Sequence, residues 1–346
     1  MKIAVAMSGG VDSSVAAAIL QKEKHNIIGV TMCHYDCADY GFSKDEGIEA
    51  DIKDAAKVCE KLGIFHRVVD TSNDFKKIVE ENFISEYSKG RTPNPCTLCN
   101  PTIKWGIFLE EVLKLGMEKI ATGHYVKLSE EEKAFHIYKA DDKNKDQSYM
   151  LWGLNQQQLS KTQFPLADHS KSEVRKIAKE IKLPVHEKSE SQEICFIKGH
   201  YEYYLRQHLE LIPGNIVLAS GKIIGRHRGL PLYTIGQRKG LNTPWKAPLY
   251  VLKLDTKKNE LVVTDNPDDL LCSRFQINKV NWIDKEPETD ISVQIRYNSK
   301  PVPVKKLECK KDTIQVNLVN PVRAITPGQS AVFYRGEQLL GGGVIE

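Results

Sequence analysis

The short apolar run Lys2–Met7 reads as a buried strand. Ser8-Gly9-Gly10-Val11-Asp12-Ser13-Ser14 follows it without a break, and Val15–Leu20 then reads as a helix. A strand that turns on two glycines into a helix is a phosphate cradle of the α/β class. The glycines let the backbone approach an anion closely, while free amides and the helix dipole face its charge. Ser8, Ser13 and Ser14 add hydroxyl donors, and Asp12 offers a carboxylate for a Mg²⁺ on the phosphates. The loop is neither Gly-x4-Gly-Lys-Ser/Thr nor Gly-x-Gly-x-x-Gly, so it belongs to another class of nucleotide site.

The alternation continues. Asn26–Met32, His66–Asp70 and Lys119–Gly123 read as strands, while Ala50–Leu62, Phe75–Tyr87, Ile103–Leu115 and Ser172–Lys182 read as helices. This implies a parallel sheet covered on both faces, with ligands at the carboxyl ends of the strands, where Ser8–Ser14 lies. From Pro213 onward, short strands are separated by Gly, Pro, Asn and Asp: Leu249–Leu254, Glu260–Thr264, Ile291–Tyr297, Thr313–Leu318 and Ser330–Tyr334. Such spacing predicts small antiparallel modules and a C-terminal barrel. The expected organisation is an α/β catalytic domain over 1–200, a central β-rich domain over 201–268 and a β-barrel over 269–346. Ser129–Lys133 and Asp141–Asp146 read as charged, solvated loops.

A length of 346 residues suits several domains, and 41% hydrophobic with 27% charged content is the composition of a soluble globular protein. No apolar run approaches the ~20 residues of a membrane span. The first strand begins at the N-terminus with no room for a signal peptide, so a cytoplasmic location is expected. In that compartment the eight cysteines are expected to be catalytic, metal-binding or buried rather than paired.

A second signal is Gly90-Arg91-Thr92-Pro93-Asn94-Pro95-Cys96-Thr97-Leu98-Cys99-Asn100, read as a loop held stiff by its two prolines. A third thiol, Cys195, lies in Ser189-Glu190-Ser191-Gln192-Glu193-Ile194-Cys195-Phe196. Cys-x-x-Cys alone leaves a redox pair, a metal site and structural thiols open. Cys59 falls on the apolar face of a helix and reads as core. Cys33 and Cys37, with His34 between them, lack a second pair and read as incidental thiols, and Cys272 and Cys309 read as packing residues. Arg226, His227, Arg228, Arg238 and Lys239 gather positive charge around Leu230–Tyr233, and basic residues interleaved with an aromatic suit a folded RNA.

Ser8–Ser13 resembles the pyrophosphate loop of ATP pyrophosphatases, which adenylate a substrate and release pyrophosphate. Together with Gly90–Asn100, Ala121–Tyr125, Lys145–Tyr149, Ser191–Phe196, Gly236–Leu241, Val322-Arg323-Ala324 and Pro327-Gly328-Gln329, taken in that order, it makes nearly the whole chain similar to the tRNA-specific 2-thiouridylases. The resemblance implies ATP contacts at Ala6, Met7, Ser8, Gly9, Gly10, Val11, Asp12, Ser13, Met32 and Gly123. It implies adenylation of the C2 oxygen of a tRNA wobble uridine, then sulfur transfer from a persulfide on Cys195, with Cys99 as the nucleophile that releases the sulfur. It places tRNA against Asn94, Pro95, Cys96, His124, Lys145, Asp146, Gln147, Arg296, Tyr297 and Gln329, with the base extruded from its stack. The implied partners are wobble-uridine tRNAs of the Lys, Glu and Gln type, and a cysteine desulfurase or sulfur-relay protein as donor.

One position departs from the family. Most members carry Asp where this chain has Cys96, and a thiol replaces a carboxylate poorly as an acid/base or orienting group. Cys96, Cys99 and Cys195 together offer the ligand count of a 4Fe–4S cluster with one open iron, where exogenous sulfide is activated in related tRNA thiolases. The persulfide and cluster routes therefore both stand as expectations. Two readings from other classes are a pyrophosphate-loop amidotransferase or ligase of a small metabolite, and a non-catalytic RNA-binding protein.

Overall fold

Ile3, Ala4 and Val5 have no exposed surface, so the strand that carries them, Lys2–Ala6 (β1), needs cover on both faces. The structure, a computed structural model, describes every residue except Ala38, Lys44, Asp45 and 190–193. Around β1 lie Asn26–Cys33 (β2), His66–Asp70 (β3) and Lys119–Ala121 (β4). A hairpin of Val126–Glu131 (β5) and Ala134–Lys139 (β6) comes next, and Thr162–Gln163 (β7) completes the first sheet. That sheet is parallel, in the order β3-β2-β1-β4-β7. Alternate side chains of β1 serve opposite cores. Ile3 and Val5 pack with Val15 and Leu20 of helix Val11–Lys22 (α1) and with Ala55, Val58 and Cys59 of helix Gly47–Leu62 (α2), while Ala4 packs with Phe108 and Val112. The chain passes from β1 to β2 and β3 on one side and later to β4 on the other, so the carboxyl end of β1 is the switch point where such sheets bind ligands.

The helix expected from Ile103 begins earlier, at Pro95, and runs through residues 95–114. Asn94 caps it, its Oδ1 accepting from the Cys96 N–H at 3.1 Å, and Pro95 takes the first-turn position where its missing N–H costs nothing. Cys96 and Cys99 thus sit on a helix rather than in the stiff loop expected for them. Pro101 would clash with the carbonyl four residues back in a regular helix, and Asn100–Ile107 widens into a π turn.

Two charged segments are also more structured than the sequence suggested. Ser129–Glu131 is strand, and only Glu132 and Lys133, with φ of 49° and 69°, form the turn of the β5–β6 hairpin. In the other, the Asp146 carboxylate turns inward to accept from the N–H of Ala140 and the hydroxyl of Ser148.

Helix Tyr201–His208, unforeseen from the sequence, leads into a sheet of Gly214–Leu218 (β8), Ile223–His227 (β9), Tyr250–Asp255 (β10) and Glu260–Thr264 (β11). It is mixed rather than antiparallel, because β11 pairs with β8 in parallel. Leu271–Trp282 (β12), Ser292–Gln294 (β13), Val302–Lys310 (β14), Thr313–Arg323 (β15), Ser330–Arg335 (β16) and Gln338–Ile345 (β17) follow. They form an antiparallel barrel closed by β12 against β17 around Ile277, Val293, Val316 and Phe333. Leu339 of β17 pairs with Ile137 of β6, which ties the barrel to the first domain. Among the described residues no helix is long and apolar enough to cross a membrane.

Candidate functional site

The phosphate loop closes through short-range hydrogen bonds. Ser13 Oγ accepts from the Ser8 N–H at 3.1 Å, and the Ser14 hydroxyl donates to the Gly10 carbonyl at 2.7 Å. Among the described residues no side chain caps α1, whose N-cap is Gly10, so its first-turn amides stay available to an anion. Gly9 is required twice over: its φ is +66°, and a Cβ there would lie 2.4 Å from the Asp51 carbonyl oxygen. Gly123 is required by proximity, since its Cβ would lie 2.7 Å from Ser13 N, and this brings the end of β4 against the start of α1. Ala6 ends β1, and Met32 is the last residue but one of the neighbouring β2. The residues expected to hold ATP therefore come together at the switch point.

Asp12 is engaged rather than free. The Tyr125 hydroxyl donates to its Oδ1 at 2.7 Å, and Lys171 Nζ donates to its two oxygens at 2.7 and 2.9 Å. A Mg²⁺ would share this carboxylate with an ammonium that is only 12% exposed. Nothing in the local pattern marks Lys171, because only the fold brings residue 171 to residue 12.

All eight cysteines are free thiols. Cys96 and Cys195 reach solvent and Cys99 is half-buried, yet protein crowds all three closely. Desolvation raises each thiol pKa: Cys99 is pushed up to about 12, Cys96 rises, and Cys195 rises well above the ordinary thiol range. Cys99, Ile194 and Phe196 pack in one apolar cluster, which brings the segment of Cys195 to the cysteine helix, and next to burial it is charge on Cys96 and Cys99 that most raises Cys195. Phe196 pins that segment, its ring 5.4 Å from Phe75 and 5.5 Å from Phe83 and Tyr204.

Among the described residues, Lys104 is the cation whose charge lowers all three thiols. It also disfavours protonation of His34, which burial drives down to about 4, and of His124. Lys104 lies five residues beyond Cys99, one turn along a π-helical stretch, with its Nζ 5.6 Å from the Trp105 ring centroid. Trp105 is fixed by its own N–H to Thr162 at 2.7 Å. Sequence reading missed Lys104, since a lone lysine on a helix carries no pattern. The three thiols do not form a metal triad here, because among the described residues no three His, Cys, Asp or Glu side chains are grouped to hold an ion.

The remaining expected contacts split into two sets. His124 lies beside the loop, its Nδ1 2.7 Å from Thr122 Oγ1 and its ring 5.5 Å from Trp105. Pro95 is buried, and Asn94 and Asn100 bind Met150, which docks the cysteine helix on the segment after Gln147. Gln147 exchanges hydrogen bonds with the Tyr125 backbone, and Tyr297 donates to the Asp146 carbonyl at 3.1 Å. Arg296 donates to the carbonyls of Ile235 and Ala324, and Gln329 to that of Thr92. These side chains bind the domains to one another, whereas Lys145 is half-buried beside them. In the basic group Arg226, Arg228, Arg238 and Lys239 are exposed, but Tyr233 and His227 are buried and offer no stacking face. Cys272 and Cys309 are exposed rather than packed, while Cys59 is core as expected.

Residues 1–199 match the family described as tRNA methyl transferase HUP domain, and residues 202–265 its PRC-barrel domain. Residues 272–345 match the aminomethyltransferase beta-barrel domain. Proteins named tRNA-specific 2-thiouridylase MnmA align with the whole of this chain. One from Trichlorobacter lovleyi is 43% identical, with 97% of its own length covered. Those from Pelobacter propionicus and Pelotomaculum thermopropionicum are 42% and 41% identical, each also with 97% covered.

Proposed function

The chain belongs to the tRNA-specific 2-thiouridylase family, and from that premise we propose that it converts the wobble uridine of tRNA to 2-thiouridine at the expense of ATP. The observation that carries the reading is one domain in which a phosphate loop with free helix amides occurs together with Cys99 packed against Ile194 and Phe196, the neighbours of Cys195.

The C2 oxygen of the uridine attacks the α-phosphorus of ATP, and pyrophosphate leaves through the loop at Gly9, Gly10 and Ser13. The terminal sulfur of a Cys195 persulfide then attacks C2, and AMP leaves with the former C2 oxygen. Cys99 thiolate attacks the Cys195 sulfur, the sulfur–sulfur bond breaks, and 2-thiouridine is released with a Cys99–Cys195 disulfide. Two electrons from an external thiol reductant reopen that disulfide. Lys104 supplies the positive charge that favours thiolate over thiol. Asp12, whose carboxylate accepts from Tyr125 and Lys171, would be the protein ligand of a Mg²⁺ that would neutralise the phosphates.

A persulfide donor protein and tRNAs of the Lys, Glu and Gln type complete the reading, and the exposed Arg226, Arg228, Arg238 and Lys239 meet the RNA backbone. The persulfide route is the one carried here, and a cluster on Cys96, Cys99 and Cys195 is the outcome that anaerobic reconstitution would reveal.

Incubation with ATP, a persulfide donor and bulk tRNA, followed by digestion to nucleosides, tests the reading. We expect 2-thiouridine to accumulate with no iron present. None formed with an active donor would refute the function, whereas activity only after anaerobic iron and sulfide reconstitution would replace the route by the cluster.

A further inference from the structure

Lys188 lies outside the phosphate-loop and Cys-x-x-Cys motifs, yet its ammonium is fully committed. It donates to Asp54 Oδ2 at 2.8 Å, to Asp51 Oδ1 at 2.9 Å and to the main-chain carbonyl of Gly9 at 3.1 Å. An ammonium has three donors, and all three are used, so Lys188 has none left for a phosphate. Asp51 and Asp54 are three residues apart on α2 and share one face. Burial works against the charge of Lys188, and the bonds to Asp54 and Asp51 outweigh it, holding the ammonium above its usual range.

The carbonyl that Lys188 holds belongs to the peptide between Gly9 and Gly10. In a trans peptide the C=O and N–H point in opposite directions, so a carbonyl gripped on the α2 side turns the Gly10 N–H to the other side. Among the described residues that N–H has no protein acceptor. A peptide between two glycines is also the one most free to flip, because no Cβ restricts either flank. Something must hold it if the amide is to face an anion, and Lys188 is the side chain that does so.

We propose that Lys188 is a positioning residue for the nucleotide. By gripping the Gly9 carbonyl it aims the Gly10 amide at the phosphates of ATP, while Asp51 and Asp54 hold the ammonium in place. The inference rests on the reading of the loop as an ATP site. It also means that Lys188, seven residues before Cys195 in the chain, is bound to the loop that activates the uridine.

Calorimetric binding of ATP and of adenosine to the full-length protein tests it, with kinetics of 2-thiouridine formation alongside. Losing one aimed amide is expected to weaken ATP about tenfold in Lys188→Met. Adenosine binding stays unchanged, KM for ATP rises by the same factor, and kcat at saturating ATP holds within about threefold. Lys188→Arg, which can still reach the carbonyl, recovers part of the loss. ATP affinity within twofold of wild type, or equal losses for ATP and adenosine, would overturn the proposal. If Lys188→Met does not fold, Asp54→Asn serves instead: a loss for ATP alone supports the proposal and no loss overturns it. Wild-type protein that binds ATP yet forms no 2-thiouridine defeats the functional reading and leaves this inference standing, while failure to bind ATP defeats both.

Discussion

The proposed nucleotide half and the proposed sulfur half of the site are built in opposite ways. The first is made almost entirely from one stretch, Ala6–Ser14, closed by its own serines and backed at close range by Gly123 and Asp51. Its amides face outward, ready for an anion before any arrives. The second is gathered from the start of one helix and a segment about a hundred residues downstream, and its thiols are held in the unreactive protonated form by burial. One half is preorganised and the other is latent. A permanently ionised thiol would invite oxidation, whereas a buried, protonated one resists it, and Lys104 is the cation that favours its ionisation.

That contrast breaks most sharply at the cysteines. Cys99→Ser and Cys195→Ser are each expected to lower 2-thiouridine formation by on the order of 10³-fold or more, as loss of a covalent participant does, without weakening ATP binding. If either variant retains a tenth of the activity in a nucleoside digest, the two-cysteine relay is wrong.

Gly123→Ala strikes the other half. Its Cβ would press to 2.7 Å of Ser13 N and 2.8 Å of the Asp12 carbonyl carbon, so the start of α1 must move. A displacement of about 1 Å at such a site costs roughly 10²-fold in kcat/KM for ATP. ATP titration of the variant checks this, and a loss below about threefold would mean that the loop tolerates the shift.

Lys104→Met separates the halves more gently. Removing the cation that, among the described residues, lowers all three thiols raises them further, and sulfur transfer is expected to fall about tenfold with ATP affinity unchanged. The pH profile carries the same sign. A thiol with its pKa pushed up to about 12 is almost wholly protonated at neutrality, so each added pH unit multiplies the thiolate. The sulfur-transfer rate should therefore climb by up to about tenfold per unit from pH 7 to 9, while ATP binding stays flat. A flat or falling transfer rate would show that thiol ionisation does not limit it. At the small end, Cys272→Ser and Cys309→Ser alter exposed thiols far from either half and should leave activity unchanged, with thermal stability within about 0.5 kcal/mol of wild type.

The same division governs what could be read from the sequence. Local pattern carried the first half: β3 and β11 fall on the residues expected, and the glycine loop lies between β1 and α1 as its composition implied. Relations between distant residues were not legible. Lys171 on Asp12, Lys188 on Gly9 and Lys104 among the thiols are single lysines with no period or spacing to mark them. Cys96 and Cys99 read as loop because Pro93 and Pro95 look like breakers, yet Pro95 behind a capping Asn94 starts a helix. Tyr233 read as a stacking aromatic, and only the tertiary packing reveals it as core.

The most direct test measures both halves in one reaction. With ATP, a persulfide donor and wobble-uridine tRNA, wild-type protein should release AMP and form 2-thiouridine in equal amounts. Cys195→Ser should still release pyrophosphate in a single tRNA-dependent turnover while forming no 2-thiouridine. Loss of pyrophosphate release together with 2-thiouridine in that variant, or persistence of both, would contradict a site divided into an activating loop and a sulfur-bearing cysteine pair.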